Sequence, residues 1–224
     1  MAFNDLQITE IFHSLQGETS LVGERFSFIR LTGCNLRCTY CDSAYAFKGG
    51  KRMTIDQVIE AIRPHQTRHV LLTGGEPLLQ RQAPTLARKL VDLGYQVSIE
   101  THGEVSIEKV APFCRIIMDI KTPSSKMCRG GFEKNLPFLK PTDEIKFVIA
   151  SQDDYFWAKD TLKKFKLPTQ SILFSPALPT QDAPGEYPGV ELKWLAEKIL
   201  SDHLPVRMQY QLHKLIWGAN VHGV

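Results

Sequence analysis

The sequence predicts an α/β fold built on a largely parallel sheet. Short runs of β-branched and aliphatic residues recur along the 224-residue chain, and segments with helical periodicity lie between them. Several runs are almost continuously apolar, which is typical of strands covered on both faces of a parallel sheet. At least six strands joined by crossovers of helical length leave two architectures, an open doubly wound sheet or a complete or partial barrel of parallel strands. The order of the elements alone does not separate them.

Seven runs are predicted to be strands because β-branched, aliphatic or aromatic residues fill most of their positions. They lie at residues 26–31, 69–73, 95–100, 115–120, 144–149, 171–174 and 206–210. Most of the intervals between them are long enough for a helix, which is the pattern of successive βα units.

Four segments are predicted to be helices. The clearest begins at a capping-box pair, Thr54 and Gln57, and ends before Pro64. Its apolar residues recur at helical spacing, at Ile55, Val58, Ile59 and Ile62. The same spacing occurs at Leu86, Ala87, Leu90 and Val91 before Gly94, and the other two helices are expected at residues 155–165 and 190–200.

Composition and charge indicate an ordinary soluble domain. Hydrophobic residues make up 43% of the chain and charged residues 23%, which argues against a disordered or low-complexity protein. The net charge of +3 is too small to predict binding to nucleic acid or a membrane surface. Residues 1–10 contain neither a basic leader nor an apolar signal core, and no stretch is long enough to span a membrane. We therefore expect a cytoplasmic protein whose single domain covers residues 1–224.

The distribution of the five cysteines points to a metal or iron–sulfur site. Cys34, Cys38 and Cys41 lie close together, whereas Cys114 and Cys128 stand apart, which is not the pattern of a secreted disulfide framework. The three clustered cysteines directly follow the predicted strand at residues 26–31. Loops at the carboxyl ends of parallel strands face the ligand-binding crevice, so these thiols are expected to converge where substrates bind.

Three thiolates suit a 4Fe–4S cluster better than zinc. A structural zinc ion has four protein ligands, and the nearest histidines in the sequence, His13 and His65, are distant from the cysteine loop. A 4Fe–4S cluster held by three thiolates leaves one iron open for a further ligand, whereas electron-transfer clusters have four cysteines. Zinc with a remote fourth ligand and three cysteines without a metal remain the alternatives. Cys114 and Cys128 are expected to be free or buried thiols.

A glycine pair follows the next predicted strand. Gly74 and Gly75, before Glu76 and Pro77, would let the backbone approach a ligand closely, and a carbonyl or carboxylate there can accept a hydrogen bond from an amino group. By itself this segment is also a plausible turn. Its position on the strand after the cysteine loop favours a second part of the same site.

Together these segments resemble the radical S-adenosylmethionine superfamily, in which C-x3-C-x2-C binds the cluster and GGEP contacts the methionine amino group; Tyr40 before the third cysteine also matches. The resemblance implies a 4Fe–4S cluster and S-adenosyl-L-methionine as cofactors, reductive cleavage to a 5′-deoxyadenosyl radical, and an incomplete (partial) parallel β/α barrel. An incomplete barrel also agrees with the short connection between residues 100 and 115.

Within that superfamily the whole chain resembles the 7-carboxy-7-deazaguanine synthase family. The matching segments are residues 14–18 (SLQGE), 28–31 (FIRL), 41–43 (CDS) and 211–214 (QLHK), the last before Trp217. This resemblance implies conversion of 6-carboxy-5,6,7,8-tetrahydropterin to 7-carboxy-7-deazaguanine with loss of ammonia, in 7-cyano-7-deazaguanine and queuosine biosynthesis. It also implies Mg2+ as a further cofactor, a homodimer, and a reductant such as flavodoxin, without direct nucleic-acid or membrane contact.

The resemblance also assigns expected roles to individual residues. The cluster ligands are Cys34, Cys38 and Cys41, and the Mg2+ ligand is Ser43. The expected S-adenosylmethionine contacts are Tyr40, Cys41, Asp42, Gly75, Glu76, Glu100, Asp119, Ile120, Lys121, Ser175, Pro176, Ala177 and Leu178. The expected substrate contacts are Leu15, Gln16, Gly17, Arg30, Thr73, Gln211 and His213.

Physical chemistry supports several of these roles and leaves alternatives for others. The guanidinium of Arg30 suits the substrate carboxylate, although it could instead form a salt bridge at the sheet edge. Glu100, Lys121, His213 and Lys214 could equally lie at solvated strand ends, and Gln16 in an ordinary polar turn.

Two residues depart from the family pattern. Ser43 replaces the common threonine, which keeps the hydroxyl oxygen and places Mg2+ affinity rather than metal identity in doubt. Thr19 stands where glycine often follows the Gln-Gly-Glu triplet.

Two other functions remain as alternatives. A glycyl-radical-enzyme activase has a similar cysteine motif but acts on a protein, and would require a docking groove. A non-catalytic zinc or iron–sulfur protein would require four metal ligands and would not cleave the cofactor.

Overall fold

The computed structural model describes residues 5–169 and 171–224. Residues 1–4, on which part of the expectation about a leader rests, lie outside the described residues. The described strands are β1 (Asp5–Leu15), β2 (Arg25–Leu31), β3 (Lys51–Thr54), β4 (His69–Gly74), β5 (Gln96–Thr101), β6 (Arg115–Ile120), β7 (Glu144–Ile149), β8 (Ser171–Pro176) and β9 (Arg207–Met208). The described α-helices are α1 (Ile55–Ile62), α2 (Ala83–Asp92), α3 (Gln152–Lys164), α4 (Leu192–Ser201) and α5 (Leu212–Trp217). No helix of the described residues is long and apolar enough to cross a membrane.

The strands form one open sheet in the order β3-β1-β2-β4-β5-β6-β7-β8-β9. From β2 to β9 the parallel strands follow one another in chain order, whereas β1 is antiparallel to both β2 and β3. A doubly wound sheet reverses its strand order at a switch point, and this sheet does not. Within the described residues β3 and β9 are the two edges, so the expected partial barrel is confirmed.

The strand pleat separates an outer apolar core from the barrel interior. On β2, Ile29 and Leu31 pack against the helices, while Phe26 and Phe28 face the opposite side and form a smaller apolar cluster with Leu71. The pairing of β2 with β4 places Arg30 beside Thr73, one step beyond Phe28 and Leu71 toward the carboxyl ends. Apolar residues therefore fill the barrel interior toward the amino ends of the strands, and polar residues line its mouth at the carboxyl ends.

The predicted elements are present with shifts at their ends. The seven predicted strands correspond to β2 and β4–β9, although β9 covers only Arg207–Met208 of the predicted 206–210. The four predicted helices correspond to α1–α4, and both hydrogen bonds of the Thr54–Gln57 capping box are present. The sequence analysis missed β1, β3 and α5. In β1 the run DLQITEIFHSL mixes polar and apolar residues, because this antiparallel strand lacks the continuous burial of the parallel ones.

Asp143, which directly precedes β7, is expected to contribute strongly to stability. Its fully buried carboxylate accepts hydrogen bonds from the Ile116 amide at 2.9 Å and the Lys140 amide at 2.8 Å, and pairs with the Lys140 ammonium at 3.1 Å. Asp143→Ala leaves these donors unpaired and should lower the free energy of unfolding by about 3 kcal/mol in urea denaturation. The exposed Asp160, paired with Lys163, provides the control: Asp160→Ala should cost less than about 1 kcal/mol. Equal losses in the two variants would contradict the prediction.

Candidate active site

A cavity occupies the mouth of the partial barrel. Its lining combines the cysteine loop, the carboxyl ends of the parallel strands, the loop between β1 and β2, and the C-terminal residues. Every residue that the sequence analysis assigned to the cluster, S-adenosylmethionine, Mg2+ or substrate lines this cavity, except Glu76 and Ile120. The pleat explains this convergence, because inward-facing positions of adjacent parallel strands end at the same edge of the sheet.

The three clustered cysteines lie together on the cavity wall as free thiols. Cys38 packs in a small apolar cluster with Leu36 and Tyr40, and Cys34 and Cys41 border it. Burial raises the pKa of all three thiols, that of Cys41 to about 12 with a further contribution from Asp42. A bound metal would be needed to hold them as thiolates at neutral pH.

The donor set fits a cluster better than a single ion. Among the described residues, no three histidine, cysteine or carboxylate side chains gather closely enough to ligate one metal ion. Zinc requires such a group, whereas thiolates that bind three different irons of a cluster stand further apart. Three free thiols on one cavity wall match the three-thiolate donor set of the 4Fe–4S group expected from the sequence.

The glycine pair Gly74–Gly75, at the end of β4, packs against the start of the cysteine loop. The Gly75 amide donates to the Leu31 carbonyl at 3.2 Å, and the Glu76 amide donates to the Gly33 carbonyl at 2.8 Å. A Cβ at position 75 would overlap the Gly33 carbonyl and approach the Cys34 Cβ within 2.8 Å. Glycine is therefore required for this close approach, and the segment is more than an isolated turn.

Glu76 is fully buried behind the cavity, and its carboxylate ties together the ends of β4 and β5. It accepts hydrogen bonds from the Thr101 hydroxyl and the His102 amide, both at 2.9 Å, and from the Leu78 amide at 3.0 Å. Burial raises the pKa of Glu76 to about 7 and lowers that of His102 to about 4, so burial favours the neutral form of both neighbours. Ile120 also lies outside the cavity lining, because its side chain belongs to the outer apolar core.

A buried ion cluster forms one wall of the cavity. The Lys146 ammonium on β7 lies 2.5 Å from Glu100, 2.8 Å from Glu18 and 3.4 Å from Asp119. Burial opposes the charge on Lys146, but Glu100, Glu18 and Asp119 raise its pKa well above the usual value. Glu100 is therefore part of this cluster and not a solvated strand end. The sequence analysis missed both Lys146 and the carboxylate role of Glu18.

Asp119 and Lys121 form the adjoining part of the wall at the end of β6. The Lys121 ammonium lies 3.0 Å from Asp119 Oδ2. The second carboxylate oxygen, Oδ1, is buried and has no hydrogen-bond partner among the described residues. Because unpaired buried acceptors are costly, this oxygen is available to a donor of a bound ligand.

Arg30 faces the cavity and is also held in a salt bridge. Its Nε lies 2.6 Å from Glu10 Oε1, and the Tyr45 hydroxyl donates to the same oxygen at 2.8 Å. Its Nη1 lies 3.5 Å from the Ser43 hydroxyl, which in turn donates to Asp42 at 3.1 Å. Glu10 lies on β1, the strand that the sequence analysis did not find. It fixes one edge of the guanidinium while the group still lines the cavity.

The residues after β9 form a further part of the cavity wall, next to Asp42 at the end of the cysteine loop. The side-chain amide of Gln211 donates to Glu18 Oε1 at 2.7 Å, and the Lys214 ammonium pairs with Asp42 at 2.7 Å. Although burial opposes ionisation, Lys214 holds the pKa of the Asp42 carboxyl well below its usual range. His213 also lines the cavity, so this segment is not a solvated terminus.

The residues after α5 reach the same cavity, and the sequence analysis did not predict this contact. Ala219 and residues 221–224 contribute to the lining. The His222 ring stacks on Tyr45 at 4.0 Å between centroids, and its Nε2 lies 2.7 Å from Asp182. The C-terminal segment therefore lies next to the Arg30–Glu10 pair.

Glu18 is expected to make stability depend on pH. Burial opposes its ionisation, but Lys146, His213 and Gln211 lower its pKa from 4.5 to about 2. Its stabilising effect is complete above pH 4.5 and is lost as the pH falls toward 2, because the unfolded chain then binds the proton first. Glu18→Gln should lower the free energy of unfolding by up to about 3 kcal/mol at pH 7, and by much less at pH 3.

Urea denaturation of both proteins at pH 7, 5 and 3 measures this difference. The exposed Glu108 provides the control, since Glu108→Gln should leave the pH profile unchanged. A difference between wild type and Glu18→Gln that stays constant from pH 7 to pH 3 would contradict the electrostatic explanation.

Comparison with known proteins first shows the superfamily to which this chain belongs. Residues 28–182 match the family model of the radical SAM superfamily, and this range runs from within β2 through the cysteine loop to the end of β8. The fold agrees with this class: the structure of QueE from Escherichia coli superposes with a TM-score of 0.69 over 92% of this chain and 94% of that chain, at 21% identity. The chain belongs to the radical SAM superfamily, whose members use a 4Fe–4S cluster and S-adenosylmethionine.

Full-length relatives then define the family within this class. The 7-carboxy-7-deazaguanine synthase of Koribacter versatilis (strain Ellin345) is 42% identical, covering 98% of this chain and all of the relative. The enzymes named likewise in Chlorobaculum tepidum and Thermoplasma acidophilum are 40% and 36% identical over 98% and 97% of this chain. This chain belongs to the 7-carboxy-7-deazaguanine synthase family. These comparisons do not favour the two alternatives from the sequence analysis, the glycyl-radical-enzyme activase and the non-catalytic metal protein.

Proposed function

We propose that this protein converts 6-carboxy-5,6,7,8-tetrahydropterin to 7-carboxy-7-deazaguanine with loss of ammonia. The observation that carries the proposal is a single cavity that joins three free cysteines to Arg30 and to a set of buried polar groups. A relative named 7-carboxy-7-deazaguanine synthase, 42% identical over 98% of this chain, supports it. A docking groove for a protein substrate is not needed to explain these groups.

The cysteine loop would hold the cluster through Cys34, Cys38 and Cys41. A cluster bound there would supply the one-electron reduction of S-adenosylmethionine on which the radical chemistry of this superfamily depends. S-adenosylmethionine would lie between this loop and the ends of β5, β6 and β8. The unpaired Asp119 oxygen is suited to accept from a donor of this cofactor. The apolar packing of Leu36, Cys38 and Tyr40 limits the access of water to the reacting atoms.

The opposite wall would bind the pterin. Arg30, oriented by Glu10, presents guanidinium nitrogens suited to the substrate carboxylate. Gln16 and Gln211 provide the amide donors and acceptors that the pyrimidine edge of a pterin needs. Glu18, kept ionised by Lys146, offers a carboxylate acceptor for the ring N–H groups. These groups would fix the substrate's orientation and so favour hydrogen abstraction at one carbon.

Mg2+ binding at Ser43 is part of the proposal. Ser43 lines the cavity and its hydroxyl is the protein oxygen expected as a ligand. A single protein oxygen is enough where substrate oxygens and water complete an octahedral shell. Arg30 Nη1, 3.5 Å from the Ser43 hydroxyl, would be close enough to bind the carboxylate of the same substrate.

We also propose the cellular setting that the family resemblance implies. The protein would act in the cytoplasm as a homodimer, in a single domain, and would take electrons from a flavodoxin or a similar small reductant. Its product would enter 7-cyano-7-deazaguanine and queuosine biosynthesis. Size-exclusion chromatography with light scattering tests the dimer.

Anaerobic turnover tests the reaction. The reconstituted protein is mixed with S-adenosylmethionine, a reductant, Mg2+ and 6-carboxy-5,6,7,8-tetrahydropterin. Mass spectrometry measures 7-carboxy-7-deazaguanine and 5′-deoxyadenosine, and an enzymatic assay measures ammonia. Formation of all three supports the proposal. 5′-Deoxyadenosine without the other two would leave the radical chemistry in place and reject the substrate. A parallel reaction without Mg2+ tests the metal, since equal rates would reject its role.

A further inference from the structure

The loop at residues 16–24, between β1 and β2, carries the cavity residues Gln16, Gly17, Glu18 and Thr19. Its position is fixed from outside the cavity as well as from within. The Gly17 carbonyl accepts from the Leu212 amide at 2.9 Å, which ties the loop to the start of α5. The next residues, Thr19 and Ser20, contact groups that do not line the cavity.

Gln209 links this loop to Ser175 on β8, one of the expected S-adenosylmethionine contacts. Its Oε1 accepts from the Thr19 amide at 2.7 Å, and its Nε2 lies 3.3 Å from Glu18 Oε2 and 3.4 Å from the Ser175 hydroxyl. Gln209 is buried, and its backbone amide donates to the Phe174 carbonyl at 3.0 Å. Gln209 itself is not part of the cavity lining.

The residue that Gln209 holds has an unusual backbone. Thr19 has φ +69°, in the left-handed region, and it is buried. That region is strongly disfavoured for a β-branched residue, so neighbouring contacts must impose it. The hydrogen bond from the Thr19 amide to Gln209 is one of them, and the Leu21 amide donating to the Thr19 hydroxyl at 3.1 Å is another.

We propose that Gln209 is a positioning residue for the reaction. It holds Thr19 in the left-handed conformation and thereby directs the adjacent Glu18 carboxylate toward Lys146 and Gln211. Through Ser175 it also couples the substrate-binding loop to the strand that would contact S-adenosylmethionine. This inference rests on the proposed function, because the effect appears in substrate binding.

A second anchor explains why the loop should stay folded without Gln209. The buried Glu144 carboxylate accepts from the Ser20 amide at 3.0 Å and from the Ser20 hydroxyl at 2.9 Å. Arg115 pairs with the same carboxylate at 2.7 Å. Loss of Gln209 should therefore change the conformation at residues 18 and 19 without releasing the loop.

The test compares Gln209→Met, Thr19→Gly and the double variant with wild type. Gln209→Met keeps the side-chain length but removes both hydrogen-bonding groups, and should raise the KM for the pterin about tenfold while kcat stays within about threefold. The KM for S-adenosylmethionine should change less, and 5′-deoxyadenosine released without product should increase. Glycine adopts the left-handed region freely, so in the Thr19→Gly background the same change should raise the KM by only about threefold. Gln96→Met, at an exposed position, is the matched control.

Three outcomes would overturn the inference. An unchanged pterin KM in Gln209→Met would show that Gln209 does not position the loop. An equal effect of Gln209→Met with and without Thr19→Gly would show that it does not act through Thr19. A parallel loss of thermal stability and cluster content, with an equal rise in the KM values for the pterin and for S-adenosylmethionine, would indicate that Gln209 has only a structural role. Failure of the proposed function is distinct, since wild type itself would then fail to convert the pterin.

Discussion

Cys38→Ala is expected to abolish reductive cleavage of S-adenosylmethionine. Cys38 is the most buried of the three cysteines that line the cavity, and its loss leaves two thiolates for a cluster that requires three from this loop. We expect 5′-deoxyadenosine formation to fall on the order of a thousandfold or more. Iron content and the visible absorption of the reconstituted protein should fall with it.

A matched control uses a cysteine away from the cavity. Cys128 is exposed and does not contribute to the lining, so Cys128→Ala should retain full iron content and cofactor cleavage. If Cys38→Ala keeps a normal cluster and normal cleavage, the cysteine loop is not the cluster site. If both variants lose the cluster equally, the effect arises from general oxidation or misfolding and not from ligation.

The parts of the site that follow from periodicity could be predicted from the sequence. In a parallel sheet the register brings the ends of adjacent strands together, so Arg30, Thr73, Asp119 and Ser175, which the family resemblance singled out, could be placed at one mouth from the predicted strands. The cysteine loop followed from its spacing and from its place after a strand. Strand and helix positions followed from near-continuous apolar runs and from the capping box at Thr54.

Contacts between distant segments could not be predicted in this way. Glu10, which orients Arg30, lies on an antiparallel strand whose mixed composition hides it. The pairing of Glu18 with Lys146 joins residues 128 positions apart, and nothing in either local sequence specifies it. The contact of His222 with Tyr45 likewise joins segments that are distant in the sequence. Thr19 could be identified as a departure from the family, but its left-handed backbone became visible only in the fold.

Lys146→Met is expected to cause the largest combined loss of stability and activity. The ammonium is the cation shared by Glu18, Glu100 and Asp119, at 2.8, 2.5 and 3.4 Å, and its side chain is only 5% exposed. Methionine has a similar length but leaves three neighbouring carboxylates without this partner. We expect the free energy of unfolding at pH 7 to fall by about 3–5 kcal/mol in urea denaturation. Product formation should fall on the order of a hundredfold, because Glu18 and Asp119 would leave their positions.

The pH dependence of this loss separates charge from packing. Without the ammonium, burial raises the pKa of the Glu18 carboxyl in the folded protein above that in the unfolded chain, because Lys146 is the main group that opposes this effect. The folded variant then binds more protons, so its stability should rise as the pH falls from 7 toward 5, which is opposite to the acid sensitivity that Glu18 gives the wild type. A loss of the same size at pH 7 and pH 5 would mean that Lys146 stabilises by packing. Lys163→Met, which breaks an exposed pair with Asp160, should change stability by less than about 1 kcal/mol at either pH.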